Sequence, residues 1–305
     1  MTDVIRTEQL LKFYGSRRGL DGLDLEVRAG EIYGFLGPNG AGKTTTIRIL
    51  LDLIRPTGGQ AQVLGQDPRG GGVALRRRLG YLAGDFTVDA GQSSRELLTH
   101  LAHLRGGVAQ QRITQLADRL SLDLNVRIRA LSKGNRQKVG LVQAFMHEPE
   151  LLILDEPTSG LDPMLQQTFV GLVREAKAAG QTTFMSSHVL SEVQQTADRV
   201  GIIRDGRMVA VESVDALRRR AVRRVEVHFA GPVEADGFIR LDNVLDVSVD
   251  GPILRCRLAG PADALVKAVA RHTVESIVIE EPDLEELFFT YYGQEAHGQE
   301  ASDAA

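Results

Sequence analysis

Gly37-Pro38-Asn39-Gly40-Ala41-Gly42-Lys43-Thr44 fits the spacing G-x-x-x-x-G-K-[ST], and its residue types suit it to hold nucleotide phosphates. Glycines let the backbone wrap tightly, so that successive N–H groups can point at phosphate oxygens with no Cβ in the way. Lys43 supplies a mobile positive charge for the β- and γ-phosphates. The Thr44 hydroxyl can ligate Mg²⁺, and Thr45 continues the nucleotide-binding set. The flanks agree with this chemistry. Residues 31–36 form a short apolar run readable as a buried strand, and Ile47, Leu50, Leu51 and Ile54 recur afterwards at helical spacing. A strand, a glycine loop and a helix N-terminus make an anion site that the helix dipole favours.

A second element of phosphate chemistry lies downstream. Leu151-Leu152-Ile153-Leu154 is a continuous apolar run between Pro149 and the pair Asp155-Glu156, which reads as a central parallel strand. Such strands deliver functional groups at their carboxyl ends. Asp155 is then expected beside Mg²⁺, and Glu156 faces the attacking water as general base. Alone, the pair could begin a surface turn; with the Lys43 loop it reads as the second half of one site.

Between these elements stands Leu131-Ser132-Lys133-Gly134-Asn135-Arg136-Gln137. A hydroxyl, a glycine and free helix N–H groups suit a γ-phosphate, although Ser132 alone could be a plain N-cap. With this segment in place, the chain resembles the ATP-binding subunit of an ATP-binding-cassette (ABC) transporter. The segment is similar to a variant of that family's Leu-Ser-Gly-Gly-Gln signature, so the resemblance implies nucleotide contacts by Ser132, Gly134 and Asn135. It further implies that Tyr14 stacks on adenine, that Ser159-Gly160-Leu161-Asp162 is the D-loop, and that Ser186-Ser187-His188 carries the switch histidine. Two departures stand out. The usual Q-loop glutamine falls at Gly84, with Asp85 one register away, and Lys133 and Asn135 replace the usual Gly and Gln.

The elements that must position these residues follow from pattern. Residues up to about 63 carry short strands, among them the alternating Leu23-Asp24-Leu25-Glu26-Val27. From about 85 to 134 the pattern is helical, with Leu97, Leu98, Leu101 and Leu104 on one face and Ile113, Leu116, Ala117 and Leu120 on the next. The core resumes to about residue 217 and includes a hairpin turn at Asp205-Gly206. The resemblance implies an α/β fold: a P-loop NTPase cassette over residues 1–222, with an antiparallel β-subdomain and a helical subdomain over 85–134. Beyond it, Arg218-Arg219-Arg220 and Arg223-Arg224 mark a charged junction, read as a solvated helix end or linker, or as a contact with anionic headgroups. Alternating strands and a helical stretch over 223–293 predict a small α+β domain of three or four antiparallel strands with one or two helices. Its end, residues 281–288, is similar to the C-terminal region of cassettes that serve ABC-2-type exporters. Phe288, Phe289, Tyr291 and Tyr292 are candidates for a docking contact or for capping that domain's core, and 294–305 reads as a disordered tail.

Composition sets the outer bounds. The chain has 305 residues, 43% hydrophobic and 25% charged, with a net charge of −4 that gives no electrostatic case for nucleic acid as a partner. The single cysteine, Cys256, excludes an internal disulfide. The start Met1-Thr2-Asp3 is unlike a signal segment, and no apolar run approaches the roughly 20 residues that span a bilayer. The resemblance implies a head-to-tail homodimer with two composite ATP sites, Mg²⁺, separate membrane permease subunits and a place at the cytoplasmic side of the membrane. Export of a drug-like or lipophilic substrate is the preferred reading. An importer subunit or a non-transport, nucleotide-gated regulatory ATPase is the alternative.

Overall fold

Two long antiparallel strands, β1 (Asp3–Tyr14) and β2 (Arg17–Arg28), open the chain around the two-residue turn Gly15-Ser16. Along β2, Leu23, Leu25 and Val27 alternate with exposed polar residues and are buried, because a period of two places them on one face. β3 (Ile32–Leu36) is buried at every position and leads to helix α1 (Lys43–Leu50). β4 (Gly58–Val63) returns to pair with β1, giving a three-stranded antiparallel sheet in the order β2-β1-β4. α2 (Pro68–Arg77) begins on Pro68 behind an Asp67 cap that accepts the Arg69 N–H, and it kinks at Gly72, where φ is 53°. The computed structural model describes residues 2–86, 91–220 and 222–280. It divides into two compact units, the first ending at Glu212 and the second starting at Ser213.

β5 (Leu79–Leu82) precedes the helical segment of α3 (Ser94–Leu104), α4 (Gln110–Arg119) and α5 (Lys133–Phe145). A reciprocal capping box of Ser93 and Glu96 starts α3. Its apolar face ends earlier than the periodicity predicts: Leu97 and Leu98 are buried, whereas Leu104 in the last turn is 61% exposed. On the next face, Ile113, Leu116, Ala117 and Leu120 are all buried.

β6 (Leu151–Asp155) is buried throughout, as its unbroken apolar run predicts. It is followed by α6 (Pro163–Ala178), β7 (Thr182–Ser187), α7 (Leu190–Gln194), β8 (Arg199–Arg204) and β9 (Arg207–Ser213). These strands join β3 and β5 in a six-stranded sheet ordered β5-β6-β7-β3-β8-β9, with β5, β6, β7, β3 and β8 parallel. Asp205 (φ 51°) and Gly206 (φ 80°) make the β8–β9 turn; both take the positive φ that a type I′ turn requires. Register aligns Leu36 with Ser187 and Asp155 with Ser186, so the carboxyl ends of β3, β7 and β6 lie side by side. One core joins this sheet to the three-stranded one through α1. In it Phe184 lies 6.0 Å from the Tyr33 ring and 5.3 Å from Phe35, packed with Leu23, Leu25, Ile47 and Ile153. Each such side chain contributes about 1.5–3 kcal/mol by leaving water.

In the second unit α8 (Val214–Arg220) precedes β10 (Val222–Phe229), α9 (Asp236–Ile239), β11 (Val244–Asp250), β12 (Ile253–Ala259), α10 (Asp263–Val269) and β13 (Val274–Glu280). The strands form one antiparallel sheet ordered β11-β12-β10-β13, a ferredoxin-like βαββαβ arrangement. Val225, Val227, Phe229, Leu254, Cys256 and Leu258 fill its core against Phe238 and Leu265. Of the readings of the arginine-rich junction, a helix end agrees with the structure: residues 218–220 are the last of α8, and Arg223 on β10 donates to the Gly260 carbonyl. Residues 281–305, including Phe288, Phe289, Tyr291 and Tyr292, lie outside the described residues.

One titratable group is built into the helical segment of the first unit. His147 Nε2 lies 2.7 Å from Arg105 Nη1 and 3.0 Å from the Leu79 carbonyl, which itself accepts from Arg105 Nη1 at 2.6 Å. A guanidinium only donates and a carbonyl only accepts, so Nε2 cannot satisfy both neighbours at once, and a second buried positive charge beside Arg105 is disfavoured. Burial, reinforced by the Arg105 charge, pushes the His147 pKa down to about 4. A folded pKa below the unfolded value near 6.5 means that the unfolded chain takes up the proton first. His147 therefore adds full stability above pH 6.5, and this is lost as pH falls toward 4. Between pH 7.5 and 4.5 the wild type should lose about 1–3 kcal/mol more than a His147→Gln variant in urea unfolding. Equal losses would show that His147 is not held neutral.

Candidate functional site

The loop at residues 37–42 leaves the end of β3 and enters α1 with glycine where geometry demands it. Gly40 and Gly42 take φ of 84° and 115°. A Cβ on Gly37 would come within 2.3 Å of the Ile203 carbonyl, and one on Gly42 within 2.8 Å of the Gly19 carbonyl. Internal hydrogen bonds set the curvature: Ala41 N donates to Pro38 O (3.2 Å) and Gly206 N to Ala41 O (3.0 Å). Intrahelical bonding starts with Thr46 N on Gly42 O, so the N–H groups of Lys43, Thr44 and Thr45 remain available at the helix start. Pro38, Asn39 and Gly40 are exposed at the rim.

Lys43 is only 6% exposed, and its ammonium donates to the carbonyls of Gly37 (2.6 Å) and Pro38 (3.2 Å) of its own loop. Burial lowers its pKa, and the charges of Glu156 and Asp155 oppose that shift. Lys43 Nζ lies 3.8 Å from Glu156 Oε1.

Asp155, buried at the end of β6, accepts from Thr44 Oγ1 on Oδ2 (2.9 Å) and from Ser186 Oγ on Oδ1 (2.5 Å). The same Ser186 hydroxyl accepts the Glu156 N–H at 3.1 Å. Glu156 itself takes a φ of 48°, a left-handed conformation that costs a non-glycine residue about 1–3 kcal/mol. Its carboxylate lies 3.2 Å from His188 Nδ1. Lys43, Thr44, Asp155, Glu156 and His188 thus form one connected cluster where β3, β6 and β7 end. Sequence reasoning assigned no role to Ser186, which joins the two acidic residues; the signal was a polar residue near the end of a strand beside the one that ends in Asp155.

Tyr14 is 45% exposed at the β1–β2 turn, its ring over Gly19, where a Cβ would stand 2.9 Å from Tyr14 Cε2. Gly19 also meets Gly42 through its carbonyl, so this hairpin rests directly on the phosphate loop. Ser132 caps α5, accepting the Asn135 N–H at 3.2 Å, and Lys133 is exposed. Among the described residues, no hydrogen bond or ion pair joins Ser132, Lys133, Gly134 or Asn135 to the cluster around Asp155. Gly134 instead packs on the D-loop segment, where a Cβ would come within 2.6 Å of the Gly160 carbonyl. Gly84 follows β5 beside Asp155, where a Cβ would stand 3.3 Å from the Asp155 carbonyl oxygen and 3.5 Å from its carboxyl carbon. Asp85, the next residue, is exposed.

Residues 20–159 match the ABC transporter family. Over 96% of its length the chain is 35% identical to the bacitracin transport ATP-binding protein BcrA of Bacillus licheniformis, covering 98% of that protein. It is likewise 35% identical to the daunorubicin/doxorubicin resistance ATP-binding protein DrrA of Streptomyces peucetius, over 100% of this chain and 97% of that one. Among solved structures, an ATP-binding subunit of an ABC transporter superposes with a TM-score of 0.65 and 29% identity, covering 71% of this chain and 92% of the other. A dimeric cassette in a post-hydrolysis state with ADP and phosphate gives 0.63 at 21% identity over 69% of this chain and 98% of the other, a likeness of fold. With whole-length relatives at 35% identity and a matching site, the chain belongs to the ATP-binding, ATP-hydrolysing subunits of ABC transporters.

Proposed function

We propose that this ATPase drives export of a drug-like or lipophilic compound through separate permease subunits, working as a head-to-tail homodimer at the cytoplasmic face of the membrane. The observation that carries the catalytic part is the cluster of Lys43, Thr44, Asp155, Glu156 and His188 at one edge of the sheet. The export direction and substrate class rest on relatives named for bacitracin transport and for daunorubicin or doxorubicin resistance. Among the described residues no helix is long and apolar enough to cross a membrane, so in this reading the permeases supply the path.

Residues 37–45 grip the phosphates through backbone N–H groups and Lys43, and Tyr14 stacks on the adenine. Lys43 exchanges its bonds to Gly37 O and Pro38 O for phosphate oxygens. Thr44 Oγ1 and the Asp155 carboxylate, oxygen donors only and 2.9 Å apart, fit the hard Mg²⁺ ion; bound there, it would offset phosphate charge. Glu156 Oε1 faces both Lys43 and His188. Drawing those two donors to the γ-phosphate frees the carboxylate to take a proton from the attacking water. Ser132, Gly134 and Asn135, which have no bond to this chain's own cluster, complete the site of the opposing copy.

Three variants test these roles. Glu156→Gln should leave ATP binding intact, slow turnover by about 10²–10⁴-fold and accumulate a closed, ATP-loaded dimer; wild-type turnover would remove Glu156 from the mechanism. Lys43→Ala should weaken ATP binding itself. A mixed dimer of Lys43→Ala and Ser132→Arg chains keeps one intact composite site, so it should dimerise with ATP better than either homodimer, in which both sites are damaged. Absence of that rescue in light-scattering titrations would argue against sites shared between copies.

A further inference from the structure

Gln137, on α5, is only 3% exposed, and its amide nitrogen lies 3.3 Å from both the Glu156 and the Pro157 carbonyl oxygens. Carbonyl oxygens only accept, so the amide must present its nitrogen to them. These carbonyls belong to the turn that holds Glu156 at a φ of 48°. The peptide before Glu156 is fixed from the other side, where its N–H meets the Ser186 carbonyl (3.2 Å) and hydroxyl (3.1 Å). Pro157 has no N–H, and within the turn the Ser159 N–H donates to the Glu156 carbonyl at 3.1 Å. Gln137 adds a second donor at that carbonyl and reaches the Pro157 carbonyl as well, from outside the turn. The same helix begins at the Ser132 cap and packs Gly134 against Gly160.

We propose that Gln137 is a positioning residue for hydrolysis: it clamps the Glu156-Pro157 backbone and so fixes where the Glu156 carboxylate stands once Lys43 and His188 turn to the γ-phosphate. This rests on Glu156 being the base. It also means that the helix offering residues 132–135 to the opposing nucleotide is bonded directly to the turn carrying its own chain's base.

Gln137→Met keeps the length of the side chain and removes the donor. In the full-length protein it should lower kcat for ATP by roughly ten-fold while leaving KM within about two-fold. In a Glu156→Gln background the same change should cost less than about two-fold in single-turnover hydrolysis, because there is no base left to aim. Unchanged kcat, or equal losses in both backgrounds, would overturn the proposal. Gln137→Glu is a second probe should the Met variant fold poorly. A carboxylate repels the two carbonyls, whereas the protonated acid can donate to one, so its rate relative to wild type should rise as pH falls from 8 to 6; a flat ratio would again overturn it. Full turnover by Glu156→Gln alone would instead place the fault in the assignment of the base.

Discussion

Asp155 is a carboxylate buried at the end of a central strand, and burying such a charge without partners costs several kcal/mol. Its partners are the hydroxyls of Thr44 and Ser186, and each comes from a different element. Thr44 sits in the first turn of α1, so satisfying Oδ2 fixes where the phosphate loop delivers the helix. Ser186 is the penultimate residue of β7, so satisfying Oδ1 fixes the register of β6 against its neighbour. Through the same hydroxyl Ser186 reaches the Glu156 N–H, which links the buried charge to the strained residue after it. The site is therefore a consequence of solving one desolvation problem with groups from two strand ends and one helix start.

Two charges of opposite sign flank that carboxylate with different freedom. Lys43 is held by carbonyls of its own loop, contacts that a phosphate can replace without leaving the ammonium unsatisfied. Glu156 is partly exposed between Lys43 and His188, its backbone restrained on one side by Ser186 and on the other by Gln137. A rigid backbone with a side chain whose partners can move is what a general base needs if its activation is to follow nucleotide loading.

Much of this was legible in the residues. The loop at 37–44 and the run ending in Asp155-Glu156 are contiguous segments whose chemistry and strand context are written locally, and the structure gives β3, α1 and β6 where the pattern places them. The alternation after residue 222 likewise gave the accessory sheet, because period two survives in β10 and β12. What could not be read depends on register or on distant packing. Ser186 matters because it stands opposite Asp155 across a parallel pair, and Gln137 because a helix brings its amide to carbonyls about twenty residues away in sequence. The helix α2 was hidden by Gly70-Gly71-Gly72, whose low propensity is overcome by the Asp67 cap, Pro68 and the buried Leu75. Leu104 misled in the other direction: apolar periodicity continued one turn beyond the buried face.

In the proposed dimer one γ-phosphate is held by the Lys43 loop of one copy and by residues 132–135 of its partner. Vanadate trapped with Mg²⁺ and nucleotide occupies the γ-phosphate position, and ultraviolet light then cleaves the backbone it touches. Mass spectrometry of the fragments should find cuts within residues 37–44 and at Ser132, with the Ser132 cut lost in a dimer-deficient variant. Cleavage confined to the loop, or a Ser132 cut that persists in the monomer, would contradict a site shared between copies.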